Sequence, residues 1–299
     1  MLLTEASRIL IDTSGSAEIA ARYTDILRSG IHVLSSNKNI VDLPADVLQS
    51  FQRGGTRSVG TDFAAYNTHC WYEAALGGGV PIAKVLRQLA DVGETVTEVE
   101  AVVSGTWASI FNTIAPATDP NGAASSAKFS SAACDCYSLG LLEPDPRSDL
   151  SGRDAAMALS LISMVIGDPV RVDDVAVNMP LAGPLPECST LADLMRVTSQ
   201  YDAQMAALVE EAASKNQVPR LIASYRRGKG CSVEIRMLDR DDVFARLPDS
   251  QNAFVIRTEA NTEGTLLKGA CAGSPSIVDV IYADLIQLVK FAFTKAQVR

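Results

Sequence analysis

The pattern that most constrains the fold is a strand, a helix and a second strand within residues 7–36. Residues 7–13 hold an apolar Ile-Leu-Ile run before a Ser-Gly turn, which predicts a buried strand. Residues 17–29 carry apolar side chains at helical spacing and end before Gly30, so they predict one helix. Residues 31–36, IHVLSS, predict a second buried strand. Short connections between the three elements indicate a βαβ unit with two parallel strands and a right-handed crossover.

The later part of the chain follows a different pattern. Residues 96–105 have period-two character and predict a strand, and residues 173–183 predict another. Four further strand candidates, joined by turns, are RLIASYR, GCSVEIRML, NAFVIRTEA and LLKGAC. Residues 191–215 predict a long helix with Asn216 as its C-cap. We therefore expect an α/β part followed by an α+β part, the latter an antiparallel-rich sheet backed by helices.

A charged stretch, LGLLEPDPRSDLSGRD at 139–154, stands between these regions. Pro144 and Pro146 favour extended conformations at Glu143 and Asp145, so the sequence predicts a stiff loop. Ser151-Gly152 then interrupts the chain before an apolar run that predicts a buried helix. The loop would place carboxylates next to the first turn of that helix. The alternative is a solvated surface loop with a capped helix behind it.

Composition limits the classes of function. The net charge of -9 over 299 residues argues against nucleic acid or an anionic membrane as a partner. The six cysteines fit no zinc-binding spacing and indicate free thiols in a reducing compartment. The first residues lack a basic stretch and a cleavage site, so we expect a cytosolic protein, with an organellar one as the alternative.

Several motifs resemble homoserine dehydrogenases, in the order and at the spacing of that family. EPDPRSDLSGRD is similar to the family signature EPDPRDDLSGxD. HVLSSNKN resembles HVVTxNK, YEAALGGGVPI resembles YEATVGAGLPI, and VSGTWASIFN resembles LSGTLSYIFN. The resemblance runs from about residue 8 to the C-terminus. It implies NAD(P)-linked interconversion of aspartate 4-semialdehyde and homoserine, in the pathway that leads to threonine and methionine.

The resemblance also implies a domain organisation. Residues 1–60 and 267–299 would form part of a Rossmann-like nucleotide-binding domain, and residues 61–266 a substrate-binding and dimerisation domain, so a homodimer is expected. No G-x-G-x-x-G turn follows any strand near the N-terminus. Relative to a Rossmann domain of ordinary size, the half that carries the phosphate-binding turn is missing, and we expect weak or absent NADP or NAD binding by this chain alone.

Site residues follow from the matched motifs. The resemblance implies that Glu143 and Asp149 bind the substrate, together with the turn at Gly105 and Thr106. An ammonium group on an amino-acid substrate is well served by carboxylates. Asp154 matches a family position near the reacting oxygen. Lys38 matches a catalytic lysine of the family, with a plain surface lysine after a strand as the alternative.

Cofactor and cation candidates lie at two other turns. Asn37 and Lys38 end the second strand, where open α/β sheets place ligands. The candidates for contacting the cofactor are Thr13, Ser14, Asn37 and Lys38. The resemblance implies a monovalent cation such as Na+, held by Glu73 and by main-chain carbonyls of Leu76, Gly78 and Val80; oxygen ligands suit hard cations. The alternative is that Glu73 only caps or pairs locally.

One matched position departs from the family. The family has a lysine four residues after the aspartate in GxDVARK, whereas this chain reads GRDAAMA and has Ala158 there. Arg147 and Arg153 do not replace a proton-transferring lysine, because arginine keeps its proton in this pH range. Two hypotheses follow: a divergent homoserine dehydrogenase, impaired in this chain alone, or a non-catalytic homologue kept for dimerisation or small-molecule binding. An incomplete polypeptide is a third explanation.

Overall fold

Two β-sheets organise the chain in the computed structural model. The structure describes residues 8–43, 68–118, 126–143, 145–249, 251–271 and 274–297. Within these ranges the strands are β1 (Arg8–Asp12), β2 (Ile31–Ser35), β3 (Cys70–Trp71), β4 (Val96–Val102), β5 (Ala176–Asn178), β6 (Gln217–Arg226), β7 (Gly230–Asp239), β8 (Gln251–Thr258) and β9 (Thr265–Ala270). The α-helices are α1 (Ala17–Ala21), α2 (Tyr23–Arg28), α3 (Glu73–Gly77), α4 (Ile82–Asp91), α5 (Gly105–Ile114), α6 (Phe129–Ser138), α7 (Pro146–Leu150), α8 (Arg153–Ile166), α9 (Leu191–Thr198), α10 (Asp202–Ser214) and α11 (Ser274–Gln297). Short 3-10 helices cover Lys38–Asp42, Val172–Asp174 and Ser199–Tyr201.

The first sheet is parallel, with strand order β1-β2-β3. Parallel pairing of β1 with β2 confirms the predicted βαβ unit. The single helix predicted over residues 17–29 was wrong, because the structure divides it at Arg22 into α1 and α2. The division lets Tyr23 enter the core, where its hydroxyl donates to Asp12 at 2.5 Å. A tertiary hydrogen bond thus overrides local helix propensity at this point.

The second sheet has strand order β5-β7-β6-β4-β8-β9. Its pairs are antiparallel except β5 with β7, so the predicted antiparallel-rich sheet is confirmed. The prediction of a strand over residues 173–183 was too long, since only Ala176–Asn178 are extended in the sheet. Pro180 lies two residues beyond β5 and cannot donate to a sheet ladder, which explains why the strand stops.

The helix predicted over residues 191–215 is interrupted by the 3-10 turn at Ser199–Tyr201. The interruption coincides with a tertiary contact: the Asp202 carboxylate accepts hydrogen bonds from the backbone N–H and the hydroxyl of Ser130, each at 2.8 Å. Asp202 therefore begins α10 and also binds the first turn of α6. The C-cap of α10 is Lys215, one residue earlier than the predicted Asn216, which follows it with φ of +57°, a conformation that asparagine tolerates.

The prediction of a loop over the stretch 139–154 was only partly right, because its described residues include the short helix α7. Asp145 is extended, as expected before a proline, and its carboxylate caps α7 by accepting from the backbone N–H of Arg147 at 3.0 Å. Pro146 occupies the first position of α7, where its missing N–H has no consequence. Gly152, with φ of +77°, turns the chain into α8 at a point where a Cβ would lie 2.7 Å from the Met179 sulfur.

Two strands, β3 and β9, lie close to the predicted domain boundaries at residues 60/61 and 266/267. β3 pairs with β2 and so belongs to the first sheet, while the whole of β9 belongs to the second. The main hydrophobic core spans both regions and includes Tyr23 and Val33 as well as Trp107 and Phe254. Among the described residues, no helix is both long enough and apolar enough to span a membrane.

Candidate functional site

A cavity of about 1280 Å3 lies where the loops after β1 and β2 face the ends of β4 and β9. Nine of the residues singled out from the sequence line it. These are Thr13, Lys38, Leu76, Gly78, Gly105, Thr106, Glu143, Asp149 and Asp154. The other four candidates, Ser14, Asn37, Glu73 and Val80, lie beside the cavity without lining it. The fold therefore brings together motifs that are far apart in the sequence.

The centre of the cavity is an ion pair between Lys38 and Asp154. The Lys38 ammonium donates to both carboxylate oxygens of Asp154, at 2.6 and 2.7 Å. Lys38 begins the 3-10 turn after β2, and Asp154 lies in the first turn of α8, where the helix dipole favours a negative charge. The lysine side chain is 23% exposed and the aspartate side chain 9%, so the pair is held in place but the ammonium is reachable from the cavity.

The surrounding carboxylates determine the charge state of Lys38. Burial by itself lowers the pKa of Lys38, but attraction to Asp154, Glu143 and Asp149 more than offsets it and raises the pKa above its ordinary value. Lys38 is therefore a cation across the neutral pH range. An ammonium in this position can donate a proton.

Asp149 is a buried carboxylate with a defined orientation. Its Oδ2 accepts from the backbone N–H of Glu143 at 2.8 Å, and its Oδ1 accepts from the Thr106 hydroxyl at 3.0 Å. The Trp107 indole N–H donates to the Asp149 carbonyl at 2.9 Å and so ties α7 to α5. Burial, followed by repulsion from Asp154 and Glu143, raises the pKa of Asp149 to about 7. A cation entering the cavity would favour its ionised form.

Glu143 presents its carboxylate to the cavity just ahead of α7. The residue is exposed, and within the described part of the chain its carboxylate has no hydrogen-bond partner among the side chains. Although the residue as a whole is exposed, partial shielding of its carboxylate from water, and then the negative charge of Asp154, raise the pKa of Glu143 despite the opposing effect of Lys38. Glu143, Asp149 and Asp154 thus form an acidic wall that faces the single ammonium of Lys38.

The two loops at the other side of the cavity are joined through Asp12. The buried Asp12 carboxylate accepts from the Ser14 hydroxyl at 2.6 Å, from Tyr23, and from the Asn37 side-chain amide at 3.0 Å. These hydrogen bonds outweigh burial and lower the pKa of Asp12. Ser14 and Asn37 therefore fix the loops, and Thr13 and Lys38 are the neighbours that reach the cavity.

Glu73 caps a helix locally, which the sequence analysis gave as the alternative to cation binding. Its two carboxylate oxygens accept from the backbone N–H groups of Ala83, at 2.6 Å, and Lys84, at 3.0 Å, at the start of α4. The residue is buried, and this burial raises its pKa. Each carboxylate oxygen has a second lone pair, so helix capping leaves Glu73 able to bind a cation as well.

Comparison with known proteins places these residues in a family. The family model described as homoserine dehydrogenase matches residues 81–286, more than half of the chain. The chain belongs to the homoserine dehydrogenase family. Homoserine dehydrogenases of Emericella nidulans and Saccharomyces cerevisiae are each 30% identical, over 292 and 285 residues; each match covers 94% of this chain and 75% of the fungal protein. A chloroplastic bifunctional aspartokinase/homoserine dehydrogenase of Zea mays is 29% identical over 290 residues. That match covers 95% of this chain and 29% of the maize protein, so the chain spans well under half of the plant relatives' length.

Solved structures agree with the family assignment and with the predicted fold class. A protein of unknown function from Candida auris has a TM-score of 0.79 at 27% identity, covering 94% of this chain and 76% of that one. A hyperthermophilic archaeal homoserine dehydrogenase in complex with NADPH has a TM-score of 0.64 at 25% identity, covering 93% and 70%. A putative homoserine dehydrogenase of Archaeoglobus fulgidus, at 23% identity and a TM-score of 0.65, shares the fold. The Rossmann-like α/β and α+β organisation is confirmed.

Within this homoserine dehydrogenase family member, position 158 is part of the core. Ala158 has no exposed surface and lies one helical turn after Asp154 on α8. No described lysine other than Lys38 lines the cavity. The proton donor that the geometry offers is therefore Lys38, held by Asp154.

Asn252 and Cys271 are among the residues of the cavity wall that sequence reasoning missed. Asn252 is a buried polar residue of β8 in a run that otherwise reads as an apolar strand, so nothing in the pattern indicated a ligand. The Cys271 sulfur lies 2.9 Å from where a Cβ on Gly105 would be, which explains why a glycine begins α5. Burial raises the pKa of the Cys271 thiol to about 11, so it is a neutral wall group at neutral pH.

Proposed function

We propose that this cavity carries out the NAD(P)-linked interconversion of homoserine and aspartate 4-semialdehyde. The observation that carries the proposal is the Lys38–Asp154 ion pair, placed in one cavity with Glu143 and Asp149. Family membership and the 30% identity to fungal homoserine dehydrogenases support it. The alternative of a non-catalytic module is not favoured, because a half-buried ammonium surrounded by carboxylates is expensive to keep without a chemical use.

The acidic wall would bind the amino group of the substrate. Glu143 and Asp149 offer carboxylate oxygens to an ammonium, and charge-assisted hydrogen bonds of this kind are about twice as strong as neutral ones. Gly105 and Thr106 begin α5 beside Asp149, whose carboxylate accepts from the Thr106 hydroxyl, and the first amides of a helix favour an anion such as the substrate carboxylate. An amino acid would then lie with its side chain toward Lys38.

Lys38 would donate and accept the proton that is exchanged with the substrate oxygen. In the reduction of the aldehyde, its ammonium donates a proton to the oxygen that becomes the homoserine hydroxyl. In the oxidation of homoserine, a neutral Lys38 accepts that proton, and Asp154 stabilises the ammonium that forms. Asp154 also fixes the direction of the lysine side chain through its two hydrogen bonds.

The cofactor would lie against the loops after β1 and β2. Thr13, Ser14, Asn37 and Lys38 remain the proposed contacts, and the Asp12 hydrogen bonds keep both loops in position. When bound, NADP or NAD supplies or accepts the hydride. The NADPH complex of the archaeal relative supports a cofactor of this class.

The proposed monovalent cation, such as Na+, would lie at the turn after α3. Glu73 and the main-chain carbonyls of Leu76, Gly78 and Val80 are the proposed ligands, and all of them are oxygens, as a hard cation prefers. The buried, unpartnered side-chain oxygen of Asn252 beside Gly77 supports the fit. The cation would stabilise the turn that forms one wall of the substrate site.

The proposed homodimer would use the face of the second sheet that carries Glu98 and Glu100. Glu100 accepts from Arg236 at 2.6 Å and from Arg257 at 2.8 Å, and Glu98 accepts from Arg257 at 3.0 Å. These side chains are only partly exposed, and their charges balance, so a second copy could cover them without leaving an unpaired charge. The surrounding domain would be residues 61–266, with 1–60 and 267–299 forming the Rossmann-like part, except that β3 pairs within the first sheet and the whole of β9 within the second. We propose the cytosol as the compartment, with an organelle as the alternative, since the plant relatives are chloroplastic.

The proposed reaction can be tested by following NADPH absorbance while L-homoserine is oxidised. The chain is assayed alone and joined behind the nucleotide-binding half of a fungal relative, because no G-x-G-x-x-G turn occurs near its N-terminus. We expect turnover of L-homoserine by the joined protein and little by the chain alone. A joined protein that binds NADPH, as judged by its fluorescence, but does not oxidise homoserine would contradict the proposal.

A further inference from the structure

Asn252 is a buried side chain in the wall of the cavity, and only the NH2 part of its amide group forms a hydrogen bond. It lies on β8 opposite Gly269 of β9, and 4% of its surface is exposed. Its Nδ2 donates to the Gly77 carbonyl at 3.3 Å. Its Oδ1 is also buried and accepts no hydrogen bond from any described residue. Buried acceptors without a partner are uncommon in folded proteins, so we expect a ligand to bind this oxygen atom.

The orientation of the amide is determined by its neighbour. Only the NH2 group can donate to the Gly77 carbonyl, and the reversed amide would set two oxygens against each other. The free Oδ1 is therefore a consequence of the packing and not of an arbitrary choice between two orientations. Whatever satisfies Oδ1 has to be a hydrogen-bond donor or a cation.

Asn252 is hydrogen-bonded to the turn that carries the proposed main-chain ligands. Gly77 belongs to the turn whose adjacent residues, Leu76 and Gly78, line the same cavity as Asn252. A Cβ on Gly78 would overlap the Cys271 carbonyl oxygen, and one on Gly79 would lie 2.6 Å from the Ala270 carbonyl oxygen. The turn thus packs its backbone against the carbonyl groups that follow β9. Neutral carbonyl and amide oxygens are ligands that suit a hard cation.

The charge of the surroundings favours a monovalent ion. Glu73, at the start of α3, is the acidic residue of the proposed set, and the remaining oxygens come from neutral amide groups. The nearby buried Asp284 is already paired with Lys84 at 3.3 Å, so Glu73 is the carboxylate left to balance one positive charge, and a divalent ion would leave an excess charge in a buried place. Among the described residues, no group of three or more histidine, cysteine, aspartate or glutamate side chains could hold a metal ion.

We infer that Asn252 Oδ1 is a further ligand of the monovalent cation at the turn formed by residues 77–80, an inference that rests on the cation part of the proposed function. The cation would join three segments: the turn after α3, strand β8, and the end of β9 that leads to Cys271. Since Cys271 contacts the Gly105 end of the substrate site, cation binding would also stabilise that wall of the cavity.

The test measures how strongly a cation stabilises the protein, without substrate or cofactor. Thermal unfolding is recorded in sodium, potassium and tetramethylammonium chloride at equal ionic strength, for the unmodified protein and for Asn252→Leu, Asn252→Asp and Gln251→Leu. Asn252→Leu removes the oxygen, and Asn252→Asp keeps an oxygen but removes the donor to Gly77. Gln251→Leu is the matched control, one residue earlier on the same strand.

We expect sodium or potassium to raise the melting temperature of the unmodified protein and of Gln251→Leu relative to tetramethylammonium. In Asn252→Leu the half-saturating cation concentration should rise at least about tenfold, since even groups outside the ligand shell change metal affinity by about 10–100-fold. Asn252→Asp should keep or strengthen the cation effect, because a carboxylate oxygen is a good ligand for a hard cation.

Three results would overturn the inference. The first is an unmodified protein without any cation-specific stabilisation, and the second is an Asn252→Leu variant that keeps the full effect. The third is an Asn252→Asp variant that loses the effect, which would show that the donor to Gly77 matters and the oxygen does not. If Asn252→Leu does not fold, sodium-23 NMR line widths of the unmodified protein and Asn252→Asp decide between the same outcomes. Failure of homoserine oxidation would leave these readouts intact, so the two proposals are tested separately.

Discussion

At the scale of single residues, the chemistry depends on Lys38 and on the proton that it carries. Arginine at this position would keep the positive charge and the pairing with Asp154 but would not release a proton. We therefore expect Lys38→Arg to lower kcat of the cofactor-loaded enzyme by about 10²–10⁴-fold while changing the KM for homoserine much less. Steady-state kinetics in both directions would measure this. Lys215→Arg, in an exposed pair with Glu211, is the matched control and should leave both constants unchanged.

The raised pKa of Lys38 also fixes the direction of the pH dependence. Because neighbouring carboxylates raise this pKa, the lysine is protonated at neutral pH and ready to donate. Reduction of the aldehyde should then be nearly independent of pH around neutrality, while homoserine oxidation should rise steadily with pH as neutral Lys38 becomes available. Rate profiles in the two directions would check the sign. An oxidation rate that falls between neutral and alkaline pH would show that another group accepts the proton.

At the scale of elements, the glycine turn after α3 is the most constrained backbone near the site. Gly78 has φ of +61°, and a Cβ there would overlap the Cys271 carbonyl oxygen. Gly93, after α4, has φ of +82° but open space around it. Alanine at Gly93 should lower the free energy of unfolding by roughly 1–2 kcal/mol for the backbone conformation alone. Alanine at Gly78 should cost about 1–3 kcal/mol more, because overpacking adds to the backbone effect.

Thermal unfolding of the two glycine variants would measure this difference. Each kcal/mol corresponds to about 2–4 °C in melting temperature for a domain of 150–250 residues. Equal melting temperatures for the two variants would mean that the turn can move away from the end of β9. That result would also weaken the case for a preformed cation site.

Elements were predictable from the sequence where local pattern and tertiary structure agree. The βαβ unit and the antiparallel strands follow from periodicity, and the extended Asp145 follows from Pro146. The division at Arg22 was not predictable, because it depends on a hydrogen bond between Tyr23 and Asp12 that forms only in the folded chain. The pairing of Lys38 with Asp154 joins residues 116 positions apart, so the motifs identified the residues but not their contact.

At the scale of the whole molecule, we expect a homodimer in solution. The interface should cover the sheet face with Glu98 and Glu100 and bury roughly a thousand square ångströms or more in total. Light scattering at micromolar concentration would measure the mass. Arg257→Glu would place three carboxylates together and should favour the monomer, whereas Arg147→Glu, on an exposed residue of α7, should not. A protein that scatters only as a monomer would rule out this assembly.

The central claim is that residues 143–154 bind an amino-acid substrate, and calorimetric titration with L-homoserine, with NADPH present and absent, tests it most directly. The unmodified protein should bind homoserine about tenfold more tightly at about pH 8 than at about pH 6, because the Asp149 carboxyl, with a pKa of about 7, must ionise to bind an ammonium. Asp149→Asn should weaken binding at least about tenfold and remove this pH dependence. Glu211→Gln, at an exposed residue of α10 outside the cavity, should bind as the unmodified protein does. No saturable binding of homoserine, or an Asp149→Asn variant that binds it normally, would contradict the claim.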